Sequence, residues 1–122
     1  MSGSNVVKEK AEDFAVRIVR CSRYLRDRHR EYSLADQLLR SGTSIGANLS
    51  EAEFAQSKAD FITKLSISLK EAAETKFWLT LLHKTDLLDD KIFYSLNTDV
   101  KNIISLLVSI LKKLKDVDNN KN

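Results

Sequence analysis

The sequence predicts an all-α protein, a single antiparallel up-down-up-down four-helix bundle spanning residues 1–122. Three observations lead there. The chain contains no proline and only three glycines, so little in it breaks a long helix or suits a tight hairpin turn. Apolar residues recur at three- and four-residue spacing in four successive stretches, which puts one apolar stripe on each helix. Short polar breaks separate the stretches, and helices joined by short loops pack as antiparallel neighbours. A chain of 122 residues is the size of one domain and can bury a substantial core. No internal repeat or linker divides it.

The first helix is expected over residues 5–29. Val7, Ala11, Phe14, Ile18, Cys21 and Leu25 form its narrow stripe. At about 100° per residue, Arg20, Arg23 and Arg30 point away from that stripe, while Arg17 and Arg28 flank it. Asp27, four residues after Arg23, is placed to neutralise it in part. The second helix, 33–55, takes Ser33 as N-cap with Asp36 at the capping-box position. Leu34, Leu38, Ile45, Leu49 and Ala52 are its stripe. Small and hydroxyl side chains dominate the segment from Ser41 to Glu53 inside it. Gly42 and Gly46 each cost about 1 kcal/mol relative to alanine in a helix interior, and small residues at i, i+4 let another backbone come close. Asn48, on the opposite shoulder, is expected to bond a neighbouring helix and fix register, as buried asparagine does in coiled coils.

Ser57 with Asp60 is a second S-x-x-D signal and opens the third helix, 58–86. Phe61, Leu65, Ala72, Leu79 and Leu82 make its stripe. A further set, Ile67, Trp78 and Leu81, projects from another side with Glu71 and Glu74 among them. A monomeric bundle needs no such second apolar face, so it reads as a subunit interface; the alternative is extra core against loops. Glu71 and Glu74 are left either to solvent or to first-helix arginines of a neighbouring subunit. Asp86 to Asp90 provide a turn and caps for the fourth helix, 90–115. Its stripe is Leu96, Val100, Ile103, Leu107, Ile110 and Leu114, widened by Ile104, Val108 and Leu111. Lys112, Lys113 and Lys115 fall in its last turn, where cations suit the helix dipole. Residues 116–122 are expected to be a flexible tail.

Charge is modest in sum and uneven in placement. The net charge is +3. Residues 1–30 carry eight Lys/Arg against four Asp/Glu, whereas residues 31–61 carry two against five. This asymmetry points to an anionic partner or to contact between oppositely charged subunits. Arg17, Arg20, Arg23, Arg26, Arg28 and Arg30 face one acid, Asp27, within residues 14–30, with Tyr24 and Tyr32 nearby. Such a rod of cations can track a phosphate backbone; the plainer reading is a solvated face. The N-terminus lacks the apolar core of a signal peptide, and the run from Ile103 to Leu111 is too short to span a bilayer. A single cysteine, Cys21, fits a reducing compartment. The expectation is a cytoplasmic protein that does not enter a membrane.

No reaction is legible. His29 and His83 stand alone in sequence with no second ligand at i+3 or i+4, and no Glu-x-x-His pattern of a di-iron bundle is present. Ser41, Thr43 and Ser44 have no nearby histidine and no nucleophile elbow. Phosphate-cradling glycine loops are absent. No metal, cofactor or enzymatic activity is expected.

Residues 34–82 resemble the small four-helix-bundle family encoded in intervening sequences of bacterial 23S rRNA genes. The resemblance rests on Leu38-Leu39-Arg40-Ser41 and Ser44-Ile45-Gly46-Ala47-Asn48-Leu49-Ser50-Glu51. It continues through Ser57-Lys58, Asp60-Phe61, Leu65-Ser66-Ile67-Ser68-Leu69 and Lys70-Glu71-Ala72-Ala73-Glu74-Thr75-Lys76-Phe77-Trp78-Leu79, in order and without a gap. The family is also similar to the accessory protein of diversity-generating retroelements, a pentameric barrel that binds nucleic acid with a reverse transcriptase. The resemblance implies a homopentamer with a basic, nucleic-acid-facing surface and no enzymatic activity. Two features depart from the family pattern. Ala52 stands where glycine is frequent, and the following linker reads Glu53-Phe54-Ala55-Gln56 where it is often basic. Both remove positive charge or flexibility and count against nucleic-acid binding through that turn. The expected function is therefore a non-enzymatic oligomer that binds RNA or DNA through the first-helix arginines, assisted by Lys112, Lys113 and Lys115. The rival is a structural module whose charge asymmetry serves assembly or a protein partner only.

Overall fold

Each apolar stripe becomes a largely buried helix face, although Leu34, Phe61, Ile104 and Leu114 are only partly buried and Val108, expected to widen the α4 stripe, is 48% exposed. A computed structural model, describing residues 2–119, contains α1 (Ser2–His29), α2 (Ser33–Ala52), α3 (Lys58–Lys84) and α4 (Asp90–Asn119). Each helix packs on its neighbours in sequence, and α4 closes the square against α1, while the diagonal pairs stay apart. Of the four seams, α2–α3 is the tightest and α1–α4 the most open. Val7, Ala11, Phe14, Ile18 and Leu25 of α1, Leu38 and Ile45 of α2, Leu65 and Leu79 of α3, and Val100, Ile103 and Leu107 of α4 fill the centre.

The helix ends differ from expectation for local reasons. Ser33 is not a cap: Tyr32 holds that position without a side-chain bond, and Glu31 accepts from the Leu34 N–H instead. At Ser57 the signal is used as written, its hydroxyl accepting from the Asp60 N–H at 3.0 Å. α2 stops at Ala52 because the chain tightens there, Phe54 N–H bonding Glu51 O and Ala55 N–H bonding Ala52 O. α3 stops at Lys84, where Asp86 takes a left-handed φ of 64° and the Leu87 N–H returns to Leu82 O, a Schellman ending. The fourth helix does not end near Lys115. Nothing in Asp116–Asn119 breaks a helix, and α4 runs to Asn119; the remainder of the expected tail, 120–122, lies outside the described residues. Lys112, Lys113 and Lys115 are thus not in its last turn.

The small-residue segment is the hub of the bundle. Gly42 is buried against Ile18 of α1, and a Cβ there would lie 2.7 Å from Ile18 Cγ2. Gly46 lies over the backbone of Ala11, where a Cβ would meet its nearest atom only at 3.7 Å. On its other side α2 is stitched to α3: the Thr75 hydroxyl donates to Ser41 Oγ, and the Ser68 hydroxyl donates to Ile45 O, both at 2.9 Å. Ser22 of α1 donates to Ala35 O of α2. Asn48 does not perform the register role expected of it. Its amide donates to Ser44 O, one turn back on the same helix, and the cross-helix bonds of α2 to α3 come from Ser68 and Thr75.

Candidate nucleic-acid interface

The five α1 arginines and Arg30, just after the helix, divide into two groups once the helices pack. Arg17 points at α4, donating to the Asp99 carboxylate and to the Ser95 hydroxyl. Arg26 points at α2, where it pairs with Asp36 and lies 5.6 Å from the Tyr32 ring centroid. These two are ties between helices. Arg20, Arg23, Arg28 and Arg30 are exposed, and none makes an ion pair among the described residues. Asp27 therefore does not hold Arg23 as its i, i+4 position allows.

The acids of the second quarter of the chain are all engaged. Glu31 caps α2, Asp36 holds Arg26, and Asp60 accepts from the Gln56 N–H. Glu51 pairs with Lys64 and Glu53 with Lys8. The charge asymmetry read in the sequence is thus largely settled within the chain on the acidic side and left open on the basic side.

Arg30 adds a backbone observation. Its φ is 53°, in the left-handed region, where the chain reverses after α1 and the Glu31 N–H reaches Leu25 O. Glycine is the residue such a position favours, and arginine there carries strain.

Lys8, Lys112, Lys113 and Lys115 do not join this patch. Lys8 pairs with Glu53, which brings the start of α1 beside the end of α2. In an antiparallel bundle, Lys112, Lys113 and Lys115 near the end of α4 lie at that same end, opposite the arginines. The sequence also missed a convergence. His29 and His83, isolated in the chain, line one cavity of about 390 Å³ with Tyr24, Asp86, Asp89 and Asp90. His83 stacks on Phe93 at 4.0 Å and pairs with Asp90, and Asp89 caps α4 at the Ile92 N–H. No group of three or more His, Cys, Asp or Glu among the described residues has the geometry to hold a metal ion.

The second apolar set also finds its surroundings. Ile67, Trp78 and Leu81 are half-buried, and Trp78 packs against the core. Glu71 and Glu74 are both gripped by Arg40 of α2, and the Trp78 indole N–H donates to Glu74. Within one chain both acids thus have a cation partner on α2. Phe77, which the stripe reading passed over, is 57% exposed and meets Trp78 edge-on at 5.1 Å. No helix among the described residues is long and apolar enough to cross a membrane.

Burial pushes the Cys21 thiol up to about 11, the nearby Arg17 charge opposing it only in part. Cys21 is thus a buried neutral thiol beside the arginine row and no nucleophile at neutral pH.

Among curated proteins, no match is found. A solved structure of a protein of unknown function from the S23 ribosomal protein family of Bacteroides thetaiotaomicron is similar, with a TM-score of 0.88 and 52% identity. That similarity covers 90% of this chain and 98% of the other. The sequence profile of the 23S rRNA-intervening sequence proteins matches residues 4–109. This chain belongs to the 23S rRNA-intervening sequence protein family.

Proposed function

We propose that this protein is a non-enzymatic, oligomeric binding protein of the cytoplasm that holds RNA or DNA on the C-terminal third of α1. One observation carries the reading: Arg20, Arg23, Arg28 and Arg30 stand unpaired while Glu31, Asp36, Glu51, Glu53 and Asp60 are satisfied within the chain. A structural role for those four cations would have drawn partners from the available acids, as it did for Arg17 and Arg26. Unpaired guanidinium groups on a rigid rod suit phosphate, which they bind bidentately.

Oligomerisation is the second part of the reading. Exposed Phe77, beside the partly buried Ile67, Trp78 and Leu81, leaves α3 with apolar surface that the core does not fully cover. The resemblance to the retroelement accessory protein favours a ring of five copies. Such a ring would repeat the arginine patch and turn weak single contacts into avid binding. The test is fluorescence anisotropy with labelled RNA and DNA at low salt, comparing wild type with Arg20→Glu/Arg23→Glu. Binding that the double variant loses at least tenfold supports the reading. Absence of binding by wild type, with no nucleic acid co-purifying, leaves a structural or protein-interaction module.

A further inference from the structure

Along the open α1–α4 seam, beside the unpaired arginines, lies a cleft of about 280 Å³ lined by Arg17, Arg20, Cys21, Tyr24, Ile92 and Leu96. Its floor is apolar, Cys21 being 7% and Leu96 2% exposed. One end is closed by the bridge from Arg17 to Asp99 and Ser95. At the other end Tyr24 meets the His29 ring edge-on at 5.3 Å, its hydroxyl 3.2 Å from His29 Nε2. Seven residues separate Arg17 from Tyr24, and seven separate Ile92 from Asp99 on the antiparallel α4, so the cleft is about 10 Å long. That length, with hydrophobic walls, suits one planar ring system. The lining holds two cations and no carboxylate, and Asp99 at its end is neutralised by Arg17.

The sequence places a second pattern on the same face. Arg20, Tyr24 and Arg28 are spaced i, i+4, i+8, so an aromatic ring has an unpaired cation one helical turn to either side. We propose that the cleft receives one unstacked base of a single-stranded nucleic acid, seated against Tyr24, Ile92 and Leu96, with the flanking phosphates on Arg20 and Arg28. This rests on the nucleic-acid reading above and narrows it from any polyanion to a single strand. A duplex keeps its bases inside and offers the arginines phosphates alone. A single strand offers a base to the tyrosine as well, and stacking of this kind tolerates any base because every base has a π-face. The proposal thus carries strand selectivity without sequence selectivity.

The experiment uses a fluorescein-labelled 12-nucleotide single strand and the duplex of the same sequence, titrated by anisotropy at low salt. Wild type should favour the single strand. Tyr24→Leu keeps an apolar side chain but removes the π-face, and should weaken single-strand binding about tenfold while leaving duplex binding unchanged. Ile92→Trp, which fills the cleft from α4, should do the same, and circular dichroism melts establish that both variants fold. If wild type binds the two forms alike, or if the variants weaken both equally, the cleft proposal is overturned and the basic-surface reading stands. If wild type binds neither form, both fall. Should the variants unfold, wild type decides alone: the Ile92 and Leu96 methyl signals shift on adding millimolar adenosine monophosphate if a base enters, and their staying put overturns the proposal.

Discussion

At the residue scale, two glycines one turn apart have opposite fates. A Cβ at Gly42 would sit 2.7 and 2.9 Å from two carbons of Ile18, a side chain with no exposure and no room to yield. Overpacking of that kind costs about 1–3 kcal/mol, more than the roughly 1 kcal/mol that alanine returns in helix propensity. A Cβ at Gly46 meets nothing closer than 3.7 Å. Urea melts should therefore show Gly42→Ala destabilising by up to about 2 kcal/mol and Gly46→Ala stabilising by about 0.5–1 kcal/mol. Arg30 offers a sharper contrast, because relieving its left-handed φ with glycine should raise stability by about 1 kcal/mol while weakening nucleic-acid binding. A gain in both would contradict a binding role for that side chain. Cys21 predicts an alkaline effect whose sign follows from its raised pKa. The unfolded thiol ionises near 9.0 and the folded one near 11, so between those values the unfolded state binds fewer protons and stability falls as pH rises. The contribution is fully present below pH 9, is lost as pH rises through 11, and amounts to roughly 3 kcal/mol. It is read as the difference between wild type and Cys21→Ala melts across that window.

At the element scale, α2 is the helix the others are fitted to, with glycines toward α1 and hydroxyl bonds toward α3. Replacing Thr75 with valine keeps the shape but leaves Ser41 Oγ without its donor, and should cost about 1 kcal/mol in a urea melt. The sequence announced α2's small residues but not their partners. Ser68 and Thr75 occupy buried stripe positions of α3, where a reading weighted to apolar side chains passes over them. The four helices and their buried faces were legible because hydrophobic spacing is a local property. Helix ends were less so: Ser33 and Ser57 carry the same signal, and only at Ser57 does the chain enter the helix extended, with φ −155°. Tyr32 is already helical in conformation, which takes the hydroxyl of Ser33 out of capping position. The split of the arginines was not legible at all. Arg17 finds Asp99 across 82 residues and Arg40 finds Glu71 and Glu74 across more than thirty, and no local pattern announces such pairs.

At the scale of the whole molecule, two exposed features bear on partners: the arginine row at the end of α1 and the apolar surface of α3 around Phe77. The α3 surface predicts self-association. Phe77→Glu, an exposed substitution that leaves the Trp78–Glu74 bond in place, should convert an oligomer into monomers in sedimentation velocity without lowering thermal stability, and Trp78→Ala should do so with some loss of stability. The row predicts electrostatic binding, and its salt dependence tests the central claim most directly. The logarithm of the association constant for a single-stranded oligonucleotide should fall linearly with the logarithm of salt concentration, with a slope of about −0.7 for each phosphate contact. Arg20→Glu/Arg23→Glu should flatten that slope by about 1 or more, whereas Lys112→Glu/Lys113→Glu at the opposite end should leave it unchanged. A slope identical in wild type and the arginine double variant would contradict the assignment of α1 as the binding surface.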